Sequence, residues 1–261
     1  MRFPIFQADA FTSRRFAGNP AAVVVLDRFL DAALMQAIAA ENNLAETAFV
    51  VPAEGRYFLR WFTPMVEVPL CGHATLATGA VVLERLDPGR DRVVFDTASG
   101  PLTVDRDGSS YRMDLPARTV KSVPLHPDLA AALGVTPVAT AIDGTNYLAL
   151  LAGADDVRSL QPDLAAIARL DKTGVIVTAA GDGNHDFVSR YFAPAKGVPE
   201  DPVTGGAHCA LVPFWAQRTG RDTFFAHQAS RRGGELACRL VGDRVQLNGS
   251  CVFYLDGHIE V

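Results

Sequence analysis

One pattern occurs twice in this chain and limits what it can fold into. Phe58-Leu59-Arg60-Trp61-Phe62-Thr63-Pro64 leads to Cys71-Gly72-His73-Ala74-Thr75, and Phe187-Val188-Ser189-Arg190-Tyr191-Phe192-Ala193-Pro194 leads to Thr204-Gly205-Gly206-Ala207-His208. Each copy reads arginine, aromatic, Phe, small residue, Pro, then a connection and a glycine-led apolar helix. Arg60 and Arg190 stand 130 positions apart and Gly72 and Gly205 stand 133 apart, so the second connection is three residues longer. Downstream, Thr97 to Leu102 is echoed by Gln228-Ala229-Ser230, Gly233-Gly234 and Leu236; upstream, Asn19 to Val24 has a faint partner in Asn146 to Leu150. A period this long is not that of a solenoid. It predicts two similar halves, residues 1–116 and 117–261, with the C-terminal strand a candidate addition to the first.

Periodicity fills in the halves. Phe3 to Phe11 alternates like a half-buried strand, Phe16 to Pro20 is a turn, and Ala21 to Leu26 suits a buried strand. Helical spacing runs from Asp31 to Asn42, followed by strands at Leu44–Val51 and Phe58–Phe62. The helix from about Gly72 to Glu84 is apolar nearly all round, which predicts burial on most faces. Strands at 93–95, 102–104 and 111–115 form a meander turned at Asp107-Gly108, and 116–127 crosses to the second half. There the order repeats: strands at 138–141 and 147–151, a helix at 163–170, strands at 174–178 and 187–192, and an apolar helix to about Gln217. A closing meander follows over 223–227, 236–240, 244–247 and 249–255. The expected fold class is α/β (α+β): two pseudo-symmetric halves, each a curved mixed sheet or barrel around a buried central helix, with both helix starts facing one cleft.

Composition narrows the partners. The net charge is −5 and no basic cluster is larger than Arg231-Arg232, which argues against nucleic acid. No run approaches the ~18 apolar residues of a membrane span, and Met1 to Ala10 lacks the apolar core of a secretory signal. The four cysteines have no metal-site or disulfide-framework spacing. Reduced thiols, a cytoplasmic location and no bound metal are the expectations.

Chemistry concentrates at three places. Glu46 is a carboxylate inside Ala45 to Val51, where it either faces water or is desolvated and available for acid–base work. His73 follows a glycine at a helix start, where the dipole favours its neutral form. Asp201 precedes the equivalent helix in the second half, and Asp201 or Thr204 can cap that helix. Paired glycines at such a start bare N–H groups that an anion can approach. Cys71 also stands at a helix N-terminus, a place that can lower a thiol pKa, although buried structural cysteine is the commoner role.

Together these motifs resemble a family. Asn43-Leu44-Ala45-Glu46-Thr47-Ala48-Phe49, Cys71-Gly72-His73-Ala74-Thr75 and Glu200 to His208 are similar to the signatures of the PhzF-like phenazine-biosynthesis family, as are Gln7 to Phe11 and Gly18-Asn19-Pro20. The resemblance implies a diaminopimelate-epimerase-like fold, no cofactor, a small carboxylate-bearing substrate and a homodimer. It implies that Glu46 is the general acid/base of a proton-shifting isomerisation, with His73 and Asp201 as further catalytic residues. Gly72, His73, Gly205, Gly206 and Asn19 would bind substrate, the helix-start amides holding its carboxylate. The family's Gly-Ser-Ala is Gly205-Gly206-Ala207 here, which removes a hydroxyl from the substrate's surroundings. Two other readings compete: an amino-acid racemase or epimerase using Cys71, and a non-catalytic protein that binds a small anion or another protein. Because 201–205 offers no thiol to oppose Cys71, a two-thiol racemase is disfavoured.

Overall fold

The computed structural model describes residues 1–261, which divide into two compact units: Met1–Leu115 with Leu247–Val261, and Pro116–Gln246. In the first unit the elements run β1 (Arg2–Ala10), β2 (Asn19–Val25), α1 (Ala32–Asn42), β3 (Glu46–Ala53), β4 (Arg56–Phe62), β5 (Glu67–Val68), α2 (Gly72–Val81), β6 (Arg92–Thr97), β7 (Gly100–Asp107) and β8 (Ser110–Pro116). Along the mixed sheet β1 is antiparallel to β2, β2 parallel to β3, β3 antiparallel to β4, β4 parallel to β6, and β6, β7 and β8 are antiparallel. The short β5 pairs with β4.

Alternation along the strands assigns the two faces. Ala22 and Val24 of β2 and Phe49 and Val51 of β3 pack on Met35, Ile38 and Ala39 of α1. Asn19, Ala21 and Glu46 therefore point to the opposite face, where α2 lies. Nine of the ten α2 residues, His73 to Val81, are buried, as the unbroken apolar run predicts. This one helix touches β1, β2, β3 and β7. Strands so far apart in the sheet reach it because the sheet curves around it. The helix does not end at Val81 but continues as a π-helical turn over Val82–Leu86.

In the second unit the elements are β9 (Lys121–Ser122), α3 (Pro127–Leu133), β10 (Ala139–Ile142), β11 (Asn146–Leu150), α4 (Ala154–Ser159), α5 (Leu164–Ala168), β12 (Gly174–Ala180), β13 (Phe187–Phe192), α6 (Gly205–Thr219), β14 (Thr223–Gln228), β15 (Gly234–Val241) and the start of β16 (Arg244–Gly249), which passes into the first unit at Leu247. The pairing sense from β10 to β15 is antiparallel, parallel, antiparallel, parallel, antiparallel, the sequence found from β1 to β7. Helices α3, α4 and α5 cover one face through Leu129, Leu133, Val157 and Ile167; α6 takes the other, with Trp215 Nε1 donating to Thr178 Oγ1 at 3.1 Å.

The duplication extends to individual contacts. Arg60 makes a two-pronged bond to Glu67 (2.7 and 2.8 Å) and Arg190 makes the same to Glu200 (2.6 and 3.0 Å). Their guanidinium carbons lie 5.3 Å and 4.9 Å from the ring centres of Phe62 and Phe192. The repeated arginine thus ties a strand to the connection that follows it. Two expectations need correction. The sheet register matches Asn146 to Ala21, because Phe49 and Val177 hold equivalent places opposite Arg60 and Arg190; the pairing of Asn146 with Asn19 was two residues off. The final strand, β17 (Cys251–Glu260), does not close the second meander. It runs antiparallel to β1 from Arg2↔Glu260 to Ala10↔Cys251, where it covers an edge that β2 leaves open. No helix is long and apolar enough to cross a membrane.

Candidate active site

A tight turn delivers the first side chain. Gly18 has φ +63°, and a Cβ there would collide with the Ala10 carbonyl oxygen; Asp9, itself buried, accepts from the Phe16 amide at 2.9 Å. This turn sets Asn19 at the start of β2, fully buried on the α2 face. Glu46 opens β3 on the same face. β3 lies between β2 and β4, and only 16% of the Glu46 side chain is exposed.

His73, on the first turn of α2, joins the two. Asn19 Nδ2 lies 3.0 Å from His73 Nδ1. Nε2 is 3.1 Å from Glu46 Oε2. That contact has the distance of an ion pair without the alignment of a formed hydrogen bond: both atoms are buried and neither has a hydrogen-bond partner. Cys71, the residue before α2, brings its Sγ to 3.6 Å from Nδ1. One donor atom from each of Glu46, Cys71 and His73 lies within 4.8 Å of the others, so the trio could hold a metal ion. As it stands, the imidazole bridges the groups, with Glu46 at one nitrogen and Asn19 and Cys71 at the other.

Electrostatics correct the neutral-imidazole expectation. Burial alone pushes His73 down, but Cys71 and Glu46 beside the ring outweigh it, and the imidazole is raised well above its ordinary value. The helix start is the weaker influence because the ring is turned toward the carboxylate. Burial, reinforced by the Glu46 charge, pushes the Cys71 thiol up to about 11. The thiol is therefore protonated near neutral pH, and Glu46 is the partner that favours a proton on His73.

Asp201, Gly205 and Gly206 belong to the second unit. Thr204 occupies the cap position of α6 but makes no side-chain cap bond, and the Asp201 carboxylate accepts from the Thr204 hydroxyl at 2.6 Å. Gln228, which entered the sequence analysis only as an echo of Thr97, organises this segment. Buried, it accepts from the Thr204 amide (2.8 Å) and donates to the Asp201 carbonyl (2.8 Å). Ala207 and His208 donate their amides to the Thr204 carbonyl. Gly205 and Gly206 are then the first-turn residues whose N–H groups lack an acceptor within the helix. Their counterparts at α2 are Gly72 and His73.

A match of the phenazine biosynthesis-like protein (PhzC-PhzF) family model covers residues 8–257. The chain belongs to this family. It is 49% identical, over the full length of both, to a Pseudomonas aeruginosa protein named an uncharacterized isomerase, which supports an isomerase of the family. A crystal structure of a PhzF-family phenazine biosynthesis protein from Enterococcus faecalis covers the whole of both chains at 42% identity with a TM-score of 0.96. The fold alone is shared with a hydroxyproline epimerase from Agrobacterium vitis, at 11% identity and a TM-score of 0.66 over 99% of this chain and 92% of that one. These likenesses agree with the mixed α/β architecture.

Proposed function

We propose that this family member is an isomerase that moves a proton within a small carboxylate-bearing substrate using side chains alone, with Glu46 as the general acid/base. The observation that carries the reading is the pair of buried, unbonded atoms Glu46 Oε2 and His73 Nε2, 3.1 Å apart. An acid/base must be free to bond to the substrate, and a carboxylate with 16% of its side chain exposed can reach one. Glu46 takes a proton from one carbon and returns it to another. The Nε2–H of His73, oriented by Asn19, stabilises the Glu46 carboxylate before the proton is taken and after it is returned. The amides of Gly72, His73, Gly205 and Gly206 are the proposed holders of the substrate carboxylate; Asp201 and the two second-unit glycines are assigned to this site by the family resemblance alone.

The test is solvent-deuterium incorporation into small unsaturated and amino carboxylic acids, followed by NMR. Glu46→Gln should fold and lose ~10²–10⁴-fold in exchange rate; a variant as fast as the natural enzyme would remove Glu46 from the mechanism. The 3.6 Å Cys71–His73 contact favours a thiol-based racemase as the second reading, but a thiol at about 11 is a poor base at neutral pH. Cys71→Ala should keep its exchange activity, and complete loss in a folded protein would restore the racemase.

A further inference from the structure

The second unit has no carboxylate where the first has Glu46. Val177 faces Arg190 as Phe49 faces Arg60, so the place of Glu46 falls on Gly174. A Cβ at Gly174 would lie 2.7 Å from the Tyr191 hydroxyl oxygen; the phenol fills the room that a side chain would take. From there a polar chain leads to a cation. Tyr191 donates to Asn146 Oδ1 (3.0 Å), Asn146 Nδ2 donates to Asp143 Oδ2 (2.9 Å), and Arg118 Nη1 donates to Asp143 Oδ2 (3.0 Å). Asp143 has no exposed side-chain surface.

Arg118 lies in the segment that the sequence analysis treated as a plain crossing. Its backbone amide donates to the Cys209 carbonyl of α6 at 2.9 Å, which fixes the main chain beside the helix. Its Nη1 is held by Asp143 and, at 3.3 Å, by Thr145 Oγ1. Its Nη2 makes no hydrogen bond to the protein, and 37% of the side chain is exposed. Nη2 sits 3.5 Å from where a Gly206 Cβ would be. Glycine at this position leaves that flank open to the guanidinium.

We infer that Arg118 is a specificity-determining residue that binds a second carboxylate of the substrate through Nη2, so that the substrate is a dicarboxylic acid. The Arg118 guanidinium keeps donor capacity that no protein acceptor takes up. It is immobilised through a single nitrogen and presents the other, with its hydrogens in a fixed plane suited to a carboxylate oxygen. The Asp143 carboxylate offsets part of the charge without blocking the outward donors. The inference rests on the proposed reading for a small carboxylic acid as what is bound and for Gly206 as part of the site that binds it.

Fumarate and crotonate share a carbon skeleton and differ by one carboxylate against a methyl group, and their dissociation constants can be measured by NMR titration of the full chain. The natural protein should bind fumarate about tenfold or more tighter than crotonate, the size expected of one charge-assisted bond. Arg118→Gln should remove that preference and leave crotonate binding unchanged, while Arg118→Lys should keep part of it. Equal binding of the two acids, no measurable binding of either, or a preference that survives Arg118→Gln would overturn the inference. Should Arg118→Gln fail to fold, a crystal structure of the natural protein with fumarate decides: a carboxylate on Nη2 supports the assignment and a carboxylate elsewhere overturns it. Binding and exchange are read separately. Failed deuterium incorporation with the fumarate preference intact would sink the proton-shift mechanism alone, and the reverse would sink the role of Arg118 alone.

Discussion

Two buried histidines show how a side chain's surroundings, rather than its position on a helix, set its charge. His73 and His208 both stand on the first turn of a buried helix, and their pKa values move in opposite directions. His208 is fully buried, its Nδ1 donates to the Thr204 carbonyl at 2.9 Å, its Nε2 has no partner, and no carboxylate faces it. Burial therefore pulls it down to about 4. Below an unfolded value of about 6.5 the unfolded chain takes up a proton that the folded one refuses until about 4, so stability falls across that window by about 3 kcal/mol. His73 has the opposite sign: its raised value stabilises the fold fully below about 6.5, and that contribution disappears as the pH rises through its folded value. Denaturant melts of His208→Leu from pH 7 to 4 should show a shallower loss than those of the natural protein, and parallel curves would assign the acid sensitivity elsewhere. Glu46 was legible as a candidate because one carboxylate in an apolar strand breaks the pattern. The proton preference of His73 was not, because it depends on Glu46 and Cys71 packing against the ring.

At the scale of the element, α2 is a helix by context more than by propensity. Gly72, Thr75, Thr78, Gly79 and Val81 are weak helix formers, and burial on almost every face supplies the stability instead. Thr75 and Thr78 satisfy their buried hydroxyls on the carbonyls four residues back, Cys71 and Ala74. Gly79 is the point of closest approach to the sheet: a Cβ there would lie 2.5 Å from Val104 Cγ1 of β7. Gly79→Ala gains up to about 1 kcal/mol of helix propensity and forces an overpacked contact costing about 1–3 kcal/mol. The net effect should be destabilising, and Gly79→Ala with Val104→Ala should recover part of the loss. A single variant more stable than the natural protein in thermal melts would mean that the helix shifts freely within its sheet. The apolar run made this helix readable in advance. Its π-helical continuation was not, since nothing in Val82 to Leu86 departs from an ordinary helical pattern.

At the scale of the molecule, the first unit is not continuous in sequence. Residues 1–115 lack β17, which pairs with β1 along its whole length. A protein of residues 1–115 should show no cooperative thermal transition by circular dichroism, and joining residues 247–261 to it through a flexible linker should restore one. Cooperative melting of 1–115 alone would make β17 dispensable. The sequence by itself determined the duplication, the two buried helices with their glycine starts, and Glu46 as the exceptional carboxylate, because each is a matter of local period or of a residue breaking it. Tertiary structure alone decided between the two places the sequence left open for β17, that Asn19 turns His73 toward Glu46, and that Arg118 reaches the flank of Gly206. Those outcomes depend on partners far away in the chain, and strand pairing, burial and the field at a titrating group exist only after such partners have met.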